Sequence, residues 1–410
     1  MPVNPAHRRR TRTLTAVAAL ALSALLASGC AEAGTAGSQS AGGGQGSAPV
    51  KVGLVYSKTG PLAAYGKQYV EGFHAGLDYA TKGTGKAGGR TIEVTERDDG
   101  GDASKAVAAG KDLIGKGTKI IAGSTDSGIA LQMAPLAAQN KVLYIDGPAA
   151  TDAVTGINAY TFRSGRQSYQ DTLTAAAMLG DAKGGKVTVL AQDSTFGQAN
   201  VEAVKAVLGG EGAKVSSVLA PPSATDLTPF ARQVKAAGPD LVFVAWAGAT
   251  APALWTALDQ QGVLSSSTVT TGLAGTASYP VFGAGGEKIT FLAHYFAGAA
   301  GTGPEKAMTE SVEKAGGTPD LFTPDGFTAA QMIVRAVEAG GDDVDAMVKS
   351  LEGWTFEGVK GEQKIRAEDH ALLQPMFQAK LVGSGASARP ELIRRLPMDD
   401  VAPPVKPLAG

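Results

Sequence analysis

The 410 residues carry 37 lysines and arginines against 38 acids, 44% hydrophobic residues and one cysteine. That length suits two domains or one large one. The lone cysteine rules out an intramolecular disulfide, and a charge balance without basic excess argues against a nucleic-acid partner.

Residues 1–30 read as a leader rather than as fold. Arg8, Arg9, Arg10 and Arg12 form a basic start, and Leu14 to Ala27 is an apolar run too short to cross a membrane comfortably. The run ends in Ala27-Ser28-Gly29-Cys30. A cysteine directly behind such a run resembles a bacterial lipoprotein signal, in which the chain is cut before Cys30 and its thiol is diacylated. Ala27 stands where such signals usually have Leu or Val, and an ordinary signal peptide with Cys30 incidental is the alternative. Residues 31–48, rich in Gly, Ser, Ala and Gln, read as a flexible linker.

The folded chain then alternates strand and helix. Val50 to Tyr56 reads as a strand, Leu62 to Thr81 as a helix with Tyr65, Tyr69, Phe73 and Leu77 along one side, and Thr91 to Arg97 as a strand. Ala103 to Lys116 reads as a helix, Lys119 to Gly123 as a strand, Ile129 to Asn140 as a helix and Val142 to Ile145 as a strand. Such βαβ succession predicts a parallel sheet with right-handed crossovers. The pattern breaks near Tyr160 to Gln167. It restarts as a second α/β unit, with helix 168–179 and strands 186–191, 215–219, 241–245, 268–271 and 289–295. Helices at 304–315, 323–339 and 344–351 follow, with short strands at 356–366 and 376–382. They are too poor in strands for a third sheet domain and are expected to return to the first unit. From Ser384 the Pro/Gly-rich tail reads as partly disordered.

Two small-residue loops follow the strands that end at Gly123 and Ile145. They run from Ser124 to Gly128 and from Gly147 to Thr151. In a parallel sheet both lie beyond the carboxyl ends of the strands, where open α/β sheets bind ligands. The first also opens a helix, so free backbone N–H groups and the Ser127 hydroxyl are expected to suit an anion such as a small carboxylate. Capping is the competing role for Ser127, as is core packing for Tyr65 and Phe196. Trp246 reads either as a pocket wall or as a strand end.

Gly83 to Gly88 matches GxGxxG, but a helix precedes it and a strand follows, the reverse of the dinucleotide fingerprint. Asp98, Asp99 and Asp102 lack the bidentate Glu of a calcium loop. The scattered histidines, with no HExxH, CxxC or GxSxG, leave no metal, cofactor or catalytic residue assigned, and the chain is not expected to be an enzyme.

Several spaced pieces resemble the type I periplasmic binding proteins, in particular the leucine/isoleucine/valine-binding branch of ABC-transporter receptors. They are Gly60-Pro61-Leu62-Ala63-Ala64-Tyr65-Gly66, Asp98-Asp99, Ser127-Gly128 with Ala134-Pro135, Pro148-Ala149-Ala150-Thr151, and Asp193 with Phe196-Gly197. The resemblance runs from about Val50 to Val382. It implies two Rossmann-like lobes with parallel-sheet cores, joined by three hinge crossovers near 161–167, 294–297 and 374–378. Residues 49–164 would form the first part of lobe 1, 165–295 lobe 2, 296–382 the second part of lobe 1 with the last crossover, and 383–410 a C-terminal tail.

The same resemblance implies a lipid-anchored, extracytoplasmic receptor for a small molecule, an amino acid or related carboxylate, serving ABC permease and ATPase subunits. Ser127, Thr151 and the amides near Ala149 and Ala150 would hold the carboxylate. Tyr65 and Phe196 would close over the ligand from opposite lobes, and Trp246 and Leu273 would wall it. The branch's ammonium-binding Glu is missing, because Gly272-Leu273-Ala274 occupies its place. A ligand sensor of the same fold and an α/β enzyme are the competing functions.

Overall fold

The structure, a computed structural model, describes residues 48–179 and 182–409. The leader, Cys30 and nearly all of the linker lie outside the described residues.

The first lobe is built from β1 (Val50–Tyr56), α1 (Ala63–Ala80), β2 (Lys86–Ala87), β3 (Arg90–Asp98), α2 (Ala103–Gly115), β4 (Ile120–Gly123), α3 (Ser127–Gln139), β5 (Leu143–Asp146) and β6 (Thr161–Arg163). Its sheet runs β2-β3-β1-β4-β5-β6, parallel except for the β2–β3 hairpin. Every residue of β4 and of β5 is buried, as strands covered by helices on both faces require. The GxGxxG stretch is the connector from α1 into β3. Asp98 and Asp99 staple their loop. Asp98 Oδ1 accepts from the amides of Lys58, Thr59 and Gly100, and Asp99 Oδ1 accepts from Ser57 Oγ and the Gly101 amide. Asp102 caps α2.

The second lobe follows with α4 (Ser168–Leu179), β7 (Lys186–Gln192), α5 (Thr195–Val204), β8 (Lys214–Ala220), α6 (Thr228–Ala237), β9 (Leu241–Ala245), α7 (Ala251–Gln260), α8 (Val263–Ser266), β10 (Thr268–Gly272) and β11 (Ile289–Ala293). The chain then returns. Helices α9 (Gly303–Lys314), α10 (Thr323–Gly340) and α11 (Val344–Leu351) join the first lobe, α10 packing along α1. Thr323 to Val334 of α10 are all buried, Asp325, Thr328 and Gln331 among them. The α1–α10 contact needs glycine: a Cβ on Gly72 would lie 1.8 Å from Thr323 O, and one on Gly326 1.9 Å from Tyr69 O. Three short strands, β12 (Thr355–Gly358), β13 (Gly361–Ile365) and β14 (Leu372–Leu373), make a small antiparallel sheet beside this lobe.

Two expectations are corrected here. β15 (Met376–Val382) does not belong to the first lobe. It pairs antiparallel with β11 and extends the second sheet, whose order is β16-β15-β11-β10-β9-β7-β8. The tail is not irregular either. β16 (Arg389–Leu396) pairs with β15, because an edge strand accepts Pro390 and exposed charges on its open side. Beyond β16 the chain crosses once more, back onto the first lobe. Pro403 and Pro404 carbonyls accept from Arg366, the Lys406 amide donates to Asp369, and the Ala409 amide donates to Gly156 O. The lobes are thus linked by segments after β6, after β11, between β14 and β15, and after β16.

Candidate functional site

The two small-residue loops sit where their strands place them. Gly123 ends β4 at φ +121°, and a Cβ there would come within 2.2 Å of Val55 O, so the strand can turn out of the sheet only with glycine. Asp126, not Ser127, caps α3. Its Oδ1 accepts from the amides of Gly128 (2.7 Å) and Ile129 (3.1 Å), so these N–H groups are not free as expected. Ser127 is the first helical residue and is buried. Its Oγ accepts from the Thr151 amide at 3.3 Å, which leaves the hydroxyl proton for another acceptor.

The second loop is held from behind by its carbonyls. Pro148 O accepts from Arg166 Nη1 (2.9 Å), Ala149 O from Arg163 Nη2, Ala150 O from Ser168 Oγ (3.1 Å) and Thr151 O from Arg163 Nη1 (2.9 Å). The Ala149 amide donates to Ser124 O, tying this loop to the first. Thr151 Oγ1 accepts from the Ala153 amide and caps the short 3₁₀ turn at 152–154.

Between the lobes lies a cavity of about 490 Å³, a size suited to a small solute. Tyr65, Ser127, Ala150, Phe196, Trp246 and Leu273 all line it. Ala149 and Thr151 are not among its lining residues, although Thr151 bonds one that is. The Trp246 indole N–H donates to Thr250 Oγ1 at 3.0 Å, which fixes its ring at the wall.

The cleft is shut. Asp320, just ahead of α10 in the first lobe, accepts from the Thr276 amide of the second at 2.9 Å (Oδ2) and 3.2 Å (Oδ1). Gln68 of α1 supports it, donating to Asp320 Oδ2 at 3.0 Å and accepting from the Phe322 amide at 3.1 Å. Tyr65 takes a backbone hydrogen bond at Gly248. A Cβ on Gly128 would lie 3.4 Å from Thr195 Oγ1 of the facing lobe.

Several lining residues had no sequence signal as site residues. Phe322 contacts the Tyr65 ring (centroids 4.6 Å apart) and the His294 ring (5.0 Å), and the Arg166 guanidinium lies 5.5 Å from its centroid. Arg166 Nε also faces Asp171 Oδ2 at 3.3 Å. Burial, with Arg166 and Lys360 nearby, holds the His294 imidazole well below its ordinary range, so the ring is neutral. Burial pushes the Asp171 carboxyl up, against the pull of Arg166. Behind these, Asp325 of α10 is raised to about 6 by burial, which Lys360 opposes, and Lys360, between β12 and β13, is lowered to about 8 by burial, which Asp325 opposes.

A family model of periplasmic binding proteins matches residues 49–386. The chain belongs to this periplasmic binding protein family. Among solved structures, an ABC-type branched-chain amino acid transporter protein from Rhodopseudomonas palustris is 32% identical, covering 87% of this chain and 99% of that one, with a TM-score of 0.73. A solute-binding protein from R. palustris in complex with 4-hydroxybenzoate superposes with a TM-score of 0.78 over 85% of this chain and 97% of that one. At 23% identity it speaks for the fold. The Leu/Ile/Val-binding protein homolog 3 of Brucella melitensis is 25% identical over 74% of this chain and 83% of its own length. This periplasmic binding protein is therefore an extracytoplasmic solute-binding protein of the ABC-transporter class, with two α/β lobes around parallel sheets. No helix among its described residues is long and apolar enough to cross a membrane.

Proposed function

We propose that this protein captures a small carboxylate-bearing solute, branched-chain amino acid-like or related, between its lobes. It then delivers the solute to the permease and ATPase of an importer, without chemical turnover. The observation that carries this reading is the shut cavity, into which the Ser127 and Ala150 loops enter from one lobe and Phe196, Trp246 and Leu273 from the other. The Ser127 hydroxyl donates to the carboxylate, the Ala149–Thr151 loop shapes that end, and Tyr65 and Phe196 cover the body of the ligand. Relatives named for leucine, isoleucine and valine or solved with 4-hydroxybenzoate support a carboxylate. Cys30, behind an apolar run and ahead of a Gly/Ser-rich tether, is the attachment point of a lipid anchor.

A thermal-shift screen against branched-chain and aromatic amino acids, 2-oxo acids, benzoates and their amides tests the reading. A ligand at 100 times its Kd adds about 2.7 kcal/mol of stability, which is readily seen. A panel that leaves the melting temperature unmoved counts against it. Mass spectrometry of the membrane-extracted protein tests the anchor, the expected product being a diacylated N-terminal Cys30.

A further inference from the structure

We infer that Arg166 and His294 form the polar pole of the cavity and select a carboxylate with an apolar or aromatic body and no ammonium group. This deepens the receptor reading and rests on it.

The first support is that, the Ala150 amide apart, the backbone donors expected to hold a carboxylate are already spent. The amides of Gly128 and Ile129 bind Asp126, the Ala149 amide binds Ser124 O, and the Thr151 amide binds Ser127 Oγ. A carboxylate taken from water into a closed cavity needs a charged or well-bonded partner. Among the described residues that line the cavity, Arg166 and His294 are the only basic ones. Arg166 is 7% exposed and pinned beside the carboxylate loop by its Nη1 bond to Pro148 O. Nε faces Asp171, and Nη2 has no hydrogen-bond partner among the described residues.

The second support concerns the ammonium. The acids lining the cavity are Asp126 and Asp171. Asp126 is occupied as the cap of α3. Asp171 has an unpartnered Oδ1, but it sits against the Arg166 guanidinium and feels Lys360 and Arg163 as well. An ammonium placed there would stand beside these cations, and like charges in a buried site repel strongly. Gly272, Leu273 and Ala274, which line the cavity after β10, add no charge, and Leu273 is 3% exposed.

The third support is His294. It is 4% exposed, its Nε2 has no partner, and it shares the Phe322 ring with Arg166. A neutral imidazole offers a hydrogen bond without a charge. That suits an uncharged oxygen near the carboxylate, such as a 2-oxo group or a hydroxyl. Tyr65, Phe196, Trp246 and Phe322 supply the apolar walls.

Isothermal titration of the purified protein with matched pairs decides the matter. The pairs are leucine with 4-methyl-2-oxopentanoate, phenylalanine with phenylpyruvate, and benzoate with benzamide. We expect each oxo acid to bind at least tenfold tighter than its amino acid, and benzoate to bind tighter than benzamide. Arg166→Gln should cost tenfold or more for benzoate while shifting benzamide less than threefold. His294→Phe should weaken phenylpyruvate more than benzoate. Leucine binding tighter than its oxo acid would overturn this inference and leave the receptor reading intact. Silence across the panel would overturn both. If Arg166→Gln fails to fold, the wild-type ratios alone decide.

Discussion

Replacing Asp320 by alanine should weaken ligand capture without touching the ligand site itself. The carboxylate makes two kinds of bond. Those to Gln68 Nε2 and to the Leu321 amide lie within the first lobe and persist whether the cleft is open or shut. Only the bonds from Thr276, through its amide and its side chain, span the cleft, so only they bias closure. A hydrogen bond to a charged group contributes about 1.5–3 kcal/mol, and partial exposure puts these near the low end. About 1.4 kcal/mol is a tenfold change in the closing equilibrium, and a mostly open receptor passes that factor on to its apparent affinity. Asp320→Ala should therefore raise Kd about tenfold by isothermal titration. Asp320→Asn, which keeps an acceptor but loses the charge, should fall between it and wild type. Small-angle scattering at saturating ligand should show the same compact form for all three. An Asp320→Ala protein that binds within twofold of wild type would refute the claim that this contact holds the lobes together.

Ser127→Ala should weaken the best ligand about tenfold, the value of one buried hydrogen bond of about 1–1.5 kcal/mol, while the melting temperature of the free protein stays within a few degrees. Gly72→Ala should destabilise the fold by about 1–3 kcal/mol or more, because its methyl group meets Thr323 O at 1.8 Å; chemical denaturation would measure it. Burial pushes Asp146 up to about 8 although Arg163 lies 3.6 Å away, whereas the unfolded carboxyl titrates near about 3.9. The folded state thus holds the extra proton across that window, and stability falls as pH rises from about 4 through about 8. Asp146→Asn should flatten the decline in melting temperature over that range. Deleting residues 397–410 should lower the melting temperature and enlarge the unliganded radius of gyration, since the last interlobe link is then gone.

Most of the architecture was legible because its signals are local. Runs such as Ile120–Gly123 and Val142–Ile145 are apolar throughout, and amphipathic segments lie between them. The loops after those strands announced themselves by small hydroxyl residues, and the structure brings Ser127 and Ala150 to one cavity with Phe196 and Trp246. The cap was harder to read. Asp126 and Ser127 are both good capping residues, and only the fold shows Asp126 taking the amides. Arg166 and His294 were invisible because they sit on crossover segments, where periodicity lapses and the neighbours that matter are far away in the chain. His294 meets Phe322, and Arg166 meets both Phe322 and Asp171. The tail misled for a related reason. Its prolines and glycines suggest disorder, but an edge strand tolerates Pro390, and Arg366 gathers the carbonyls of Pro403 and Pro404.

The last link also settles which half carries the ends of the chain. β1 enters the first lobe at Val50, and Ala409 leaves from it at Gly156. Among the described residues, then, the chain both enters and leaves through the first lobe, and the second is covalently joined to it by the connecting segments. A tether ahead of Val50, as proposed for Cys30, would steady the first lobe and leave movement to the half bearing Phe196 and Trp246.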